Sequence, residues 1–113
     1  MMRWLTISAV VFGALALVTC KPKDITSPLP GTVLGAARDS FFTPETIYVT
    51  AGKRVRWTNE GKVYHTVESD SSLWGSNPLA PTWWFEVRFD SAGTFPYHCS
   101  IHAGMVGTVI ATP

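Results

Sequence analysis

Lys53-Arg54-Val55-Arg56-Trp57-Thr58-Asn59 alternates residue by residue between charged or polar and apolar. In an extended chain Val55 and Trp57 point to one side and Arg54 and Arg56 to the other. The stretch therefore reads as a half-buried strand, with the arginines on its solvated face. The same signal repeats on both sides. Thr46-Ile47-Tyr48-Val49-Thr50 is β-branched and aromatic and ends at Ala51-Gly52. After Gly61, Val63-Tyr64-His65-Thr66-Val67 resumes an extended pattern, and Phe85-Glu86-Val87-Arg88-Phe89 alternates again. Asp90-Ser91-Ala92-Gly93 is a turn, and Thr94 to Cys99 and Gly107 to Thr112 form the last two strands. About seven short strands at this spacing, with no capped helical period outside the first twenty residues, predict an all-β sandwich. Trp57, Phe89 and Phe95 are expected in its core, and Arg54, Arg56 and Arg88 on its outer face. Ser69 to Thr82, with Trp74, Gly75, Pro78 and Pro81, reads as a long loop.

Length and composition set the bounds. The chain has 113 residues, room for one domain. Apolar residues make up 46% and charged residues only 15%, with 9 Lys+Arg against 8 Asp+Glu. Nucleic acid would require a basic stripe, which this balance does not supply. Two cysteines are too few for a disulfide scaffold.

Met1 to Cys20 reads as a targeting segment. Arg3 is a short positive start, and Leu5 to Val18 carries no charge. That length suits a secretory signal and falls short of the roughly 20 residues of a membrane span. Leu17-Val18-Thr19-Cys20 resembles a bacterial lipobox, although Thr19 departs from the usual small residue. Residues 1–19 are thus expected to be a lipoprotein signal, with lipid on Cys20. Plain secretion and an uncleaved anchor are the alternatives, and all three place the domain outside the cytoplasm. Residues 20–31, with Pro22, Pro28 and Pro30, read as a stiff tether, and residues 32–113 as the domain.

The chemistry concentrates in a few residues. Cys99, His102 and Met105 form Cys-x2-His-x2-Met between two strands, and His65 lies in an earlier strand. Thiolate, two imidazoles and thioether make a soft mixed donor set that suits copper, with Met105 as the weak axial donor. Zinc prefers Cys and His without thioether. Gly104 eases the tight turn and Gly107 the return to strand. His98 adjoins Cys99 on a strand, so its side chain is sent to the opposite face. Singly, a Cys or a Met is most often core, and a Cys-x2-His pair could be a nucleophile and its base. No orienting group or oxyanion device accompanies that pair. The four residues together favour one copper ion. The Thr66 N–H is expected to bond the Cys99 sulfur.

Phe42-Thr43-Pro44, Ile47-Tyr48-Val49, Val55-Arg56-Trp57-Thr58-Asn59, His65-Thr66-Val67, Gly93-Thr94-Phe95-Pro96-Tyr97-His98-Cys99-Ser100-Ile101-His102-Ala103-Gly104-Met105 and Gly107-Thr108-Val109 resemble a cupredoxin of the plastocyanin/amicyanin type. The resemblance covers about Thr32 to Thr112. It implies a Greek-key sandwich of seven or eight strands and one type 1 copper held by His65, Cys99, His102 and Met105. The short gap from His102 to Met105 is similar to amicyanin, so the resemblance carries no photosynthetic role.

The expected function is one-electron transfer outside the cytoplasm, in a bacterial periplasm or at a cell surface, without enzymatic turnover. A transient redox protein, a cytochrome or a copper enzyme, would be the partner of a monomer tied to the membrane by its N-terminal lipid. Copper delivery without electron transfer is the rival function, and a metal-free sandwich the third.

Overall fold

A computed structural model describes residues 27–113. The expected signal, Cys20 and the first part of the tether lie outside the described residues. From Ser27 to Gly31 the chain is exposed, and it turns into the domain where the Thr32 N–H donates to the Leu29 carbonyl at 3.0 Å.

Among the described residues there is no helix. Eight strands follow in order: β1 (Val33–Ala37), β2 (Phe42–Thr43), β3 (Thr46–Thr50), β4 (Lys53–Asn59), β5 (Glu68–Ser69), β6 (Trp84–Phe89), β7 (Gly93–His98) and β8 (Val106–Thr112). They form two four-stranded sheets, ordered β2-β1-β4-β6 and β3-β8-β7-β5. β1 runs parallel to β4, with Gly35 opposite Trp57, and β3 runs parallel to β8, with Ile47 opposite Val109. Antiparallel pairs β1–β2, β4–β6, β5–β7 and β7–β8 complete the layers. Neighbours so distant in sequence require the chain to cross between sheets, which is the Greek-key connectivity expected of this class.

Alternation explains which side of each strand is buried. In β3 Ile47 and Val49 are buried while Thr46, Tyr48 and Thr50 are exposed. In β8 Gly107, Val109 and Ala111 point inward. The two inner faces enclose Trp57, Tyr97, Phe42, Val55, Val67, Phe89, Val109 and Met105. Large aromatics dominate, and burial of each such side chain contributes roughly 1.5–3 kcal/mol. Trp57 is fully buried, and its Nε1–H donates to the Tyr97 hydroxyl at 3.1 Å, so neither polar tip is stranded. Trp74, from the long loop after β5, stacks on Trp57 with ring centroids 5.6 Å apart. That loop is therefore partly core.

Two expectations need correction. Arg56 is buried, not on a solvated face. Its Nε donates to Glu86 Oε2 at 3.0 Å across the β4–β6 pair, and its guanidinium lies 3.6 Å from the Trp84 ring centroid. A paired, stacked guanidinium can leave water where a lone one cannot. Arg54 and Arg88 are half-buried and exposed, as expected.

Val63 to Val67 is not a strand. Only His65 pairs there, in an isolated bridge to Leu79. The Lys62 and Val63 amides go instead to Asp39 Oδ1, at 2.7 and 3.4 Å. Donors committed to a side chain cannot also build a ladder. Gly107 serves packing: a Cβ there would run into the Tyr97 ring.

Candidate metal centre

β7 ends at His98, and β8 begins at Val106. The seven residues between them, Cys99 to Met105, form a loop that closes on itself. The Cys99 N–H donates to the Met105 carbonyl at 2.9 Å, and the Met105 N–H to the His102 carbonyl at 3.3 Å. Gly104, at φ 81°, supplies the left-handed turn that this closure needs. Cys99 is 3% exposed and Met105 1%, while His102 at the loop's tip is half-buried.

His65 reaches the same point from the connection between β4 and β5, which crosses from one sheet to the other. Its bridge to Leu79 has two backbone bonds, of 3.2 and 2.7 Å. Asn59, 1% exposed at the end of β4, ties this region together. Its Nδ2 donates to the Val63 and Leu79 carbonyls, both at 2.8 Å, and its Oδ1 accepts the Gly61 N–H at 2.8 Å. The loop before His65 is thus shaped by a buried amide.

The outcome is convergence. His65 Nδ1 lies 3.8 Å from Cys99 Sγ, and His102 Nδ1 lies 3.5 Å from it. The two imidazole centroids are 4.8 Å apart. One donor atom from each of the three residues falls within a 4.8 Å span, close enough to share one ion. Both rings turn Nδ1 toward the sulfur. Among the described residues Cys99 is a free thiol. Its Sγ accepts the Thr66 N–H at 3.4 Å, the bond anticipated from sequence. Met105 is buried in the same core cluster as Cys99 and bonded to it through the backbone. Two imidazoles and a thiol sulfur fit copper better than a harder cation.

Around the centre lies a lash of hydroxyls. The Ser100 N–H donates to Thr66 Oγ1 at 2.8 Å, the two hydroxyl oxygens are 3.1 Å apart, and the Ser100 hydroxyl donates to the Glu68 carboxylate. The Ser100 hydroxyl, then that of Thr66, holds the Glu68 carboxyl below its ordinary range. These bonds join the residue after His65 to the residue after Cys99. His98 points away, as its strand position required, and its Nδ1 meets Asp70 Oδ1 at 2.6 Å near the surface.

Sequence reasoning missed Asn59 and Asp39. Asn59 ends a strand like many surface asparagines, and Asp39 is 26 residues from the histidine it approaches. The one available signal was Gly61, whose meaning depends on both.

Fold and site together define a β-sandwich able to hold one metal ion on two histidines and a cysteine at one end. The chain belongs to the cupredoxin-like domain family, whose pattern matches residues 9–111. It is 35% identical over 82 residues to a chloroplastic plastocyanin of Tetradesmus obliquus, an alignment that covers 61% of this chain and 57% of that protein. It is 30% identical over 89 residues to amicyanin-alpha of Methylorubrum extorquens, covering 74% of each. Among solved structures, a purple cupredoxin from Nitrosopumilus maritimus superposes with a TM-score of 0.67 at 26% identity, over 71% of this chain and 99% of that one. A reduced amicyanin variant superposes at 0.70 and 20% identity, covering 77% and 88%, which speaks for the fold alone.

Proposed function

We propose that this chain is a one-electron carrier that holds a single type 1 copper ion on His65, Cys99, His102 and Met105, and that it is not an enzyme. The observation that carries the proposal is the meeting of His65, Cys99 and His102 donor atoms at one point. The relatives named plastocyanin and amicyanin support it. When bound, copper supplies the redox chemistry by alternating between two oxidation states. The chain's part is to hold the donors still. The Cys99–Met105 closure fixes the loop, the Thr66 N–H steadies the sulfur, and the Thr66–Ser100–Glu68 lash keeps the two ligand segments together. Donors fixed this way need little rearrangement as charge changes, which favours fast transfer.

The buried His65 keeps water from one side. The half-buried His102, flanked in its loop by exposed Ile101 and Ala103, gives a partner its approach. The partner is a redox protein, a cytochrome or a copper enzyme, met transiently by a monomer. We place the domain outside the cytoplasm, in a bacterial periplasm or at a cell surface, on the strength of the signal-like residues 1–19. Lipid on Cys20 would make residues 20–31 its tether.

The test is a visible spectrum of the copper-loaded protein with reversible voltammetry. Intense thiolate-to-copper absorption that Cys99→Ser abolishes, with copper retained through repeated redox cycles, is the expected result. A colourless complex overturns the site. Copper lost on reduction points to delivery instead.

A further inference from the structure

The His65 ring is fully buried, and its two nitrogens face different groups. Nδ1 faces Cys99 Sγ, while Nε2 lies 3.4 Å from Asp39 Oδ1. Asp39 sits in the turn between β1 and β2, and its side chain is 47% exposed. It is anchored from the inside: Oδ1 also accepts the Lys62 N–H at 2.7 Å and, more weakly, the Val63 N–H at 3.4 Å.

Gly61 makes the approach possible. A Cβ at this position would overlap Asp39 Oδ1 and lie 3.1 Å from His65 Nε2. The space that a side chain would fill is the space through which carboxylate and imidazole meet.

A neutral imidazole carries one proton, on either nitrogen. An ionised carboxylate only accepts, so the nitrogen facing it must be the one that donates. We propose that Asp39 is a positioning residue of the metal centre. Its carboxylate takes the Nε2–H of His65, fixes the tautomer that leaves Nδ1 bare toward Cys99, and sets a full negative charge behind the ligand. This rests on the proposed role of His65 as a copper ligand. A neutral acceptor would orient the ring equally well. The carboxylate adds charge, which makes the imidazole a stronger donor and favours the more oxidised ion.

Two variants separate orientation from charge. Asp39→Asn keeps an oxygen for both the Lys62 N–H and the His65 N–H but removes the charge. Asp39→Ala removes both. The first readout is ring-nitrogen NMR of the metal-free protein in mildly alkaline buffer. The wild type and Asp39→Asn are expected to show a single Nε2–H tautomer at His65, and Asp39→Ala a mixture. Gly61→Ala, which displaces an intact Asp39, should reproduce that mixture.

The second readout is the reduction potential of the copper-loaded protein. Asp39→Asn should shift the balance of Cu(II) and Cu(I) affinities about tenfold toward Cu(I), a rise of about 59 mV for one electron. A single unchanged tautomer in Asp39→Ala would overturn the positioning role. An unchanged potential in Asp39→Asn would overturn the role of the charge. Because the tautomer is read without metal, a wild type that fails to turn blue sinks the proposed function and leaves the Asp39 result to stand or fall separately.

Discussion

Replacing Asn59 with alanine removes three hydrogen bonds at once. Two are donated to the Val63 and Leu79 carbonyls and one is accepted from the Gly61 amide, each 2.8 Å long. The side chain is 1% exposed, so water does not readily replace it. A net contribution of about 1 kcal/mol for each bond gives a loss of roughly 3 kcal/mol. Against the 5–15 kcal/mol total typical of a domain, that is a large share. In a domain of this size it corresponds to a fall of roughly 12–24 °C in Tm. Urea unfolding of the metal-free protein, followed by tryptophan fluorescence, to which buried Trp57 contributes, measures it. Leu79 is the bridge partner of His65, so the variant should also release copper more readily than the wild type. A loss below about 1 kcal/mol with an unchanged denaturant slope would refute the reasoning. It would mean that the loop before His65 keeps its shape without the buried amide.

Met105→Gln should keep the metal and lower the reduction potential measured by voltammetry, because a harder oxygen donor favours Cu(II); an unchanged potential would leave Met105 as core alone. Tyr97→Phe removes the acceptor of the Trp57 N–H and should cost about 1–2 kcal/mol at neutral pH in the same urea titration. Burial pushes the Tyr97 hydroxyl from its ordinary value of 10.0 to about 12. The unfolded chain therefore ionises first, so the stability linked to this group is complete below pH 10 and is lost as pH rises toward about 12. Tyr97→Phe should show a shallower alkaline decline over that window. Cys20→Ser should move the protein to the soluble fraction or stall its processing while the copper spectrum stays intact, checked by fractionation and mass spectrometry of the mature N-terminus. A mature chain that starts before Cys20 with an unmodified thiol would rule the lipid out.

Period-two alternation made much of the sandwich legible. β3 and β4 match the stretches Thr46–Thr50 and Lys53–Asn59 read from sequence, since each buries one face on a common core. β1 escaped notice. Val33-Leu34-Gly35-Ala36-Ala37 lacks β-branched and aromatic density, and its centre is a glycine. In the fold that glycine lies against Trp57 and Ile47, where a Cβ would come within 2.8 Å of Ile47 Cδ1. The strand exists because its neighbours need a thin partner, a fact held in their side chains and not in its own.

The site divides along the same line. Cys99, His102 and Met105 share one short loop, so their spacing displayed the donor set directly. His65 could be proposed because few residues of its chemistry exist in the chain. What sequence did not disclose is how His65 is held: Leu79 across a bridge, Asn59 beneath the loop, Asp39 behind the ring and Gly61 making room. The burial of Arg56 was hidden for the same reason, because its partners Glu86 and Trp84 stand on a strand about 30 residues away. Local sequence determines what a residue can donate and which face of a strand it takes. Which distant group answers a buried polar atom is decided only when the sheets close, because desolvation makes that partner obligatory and chain topology alone brings it within reach.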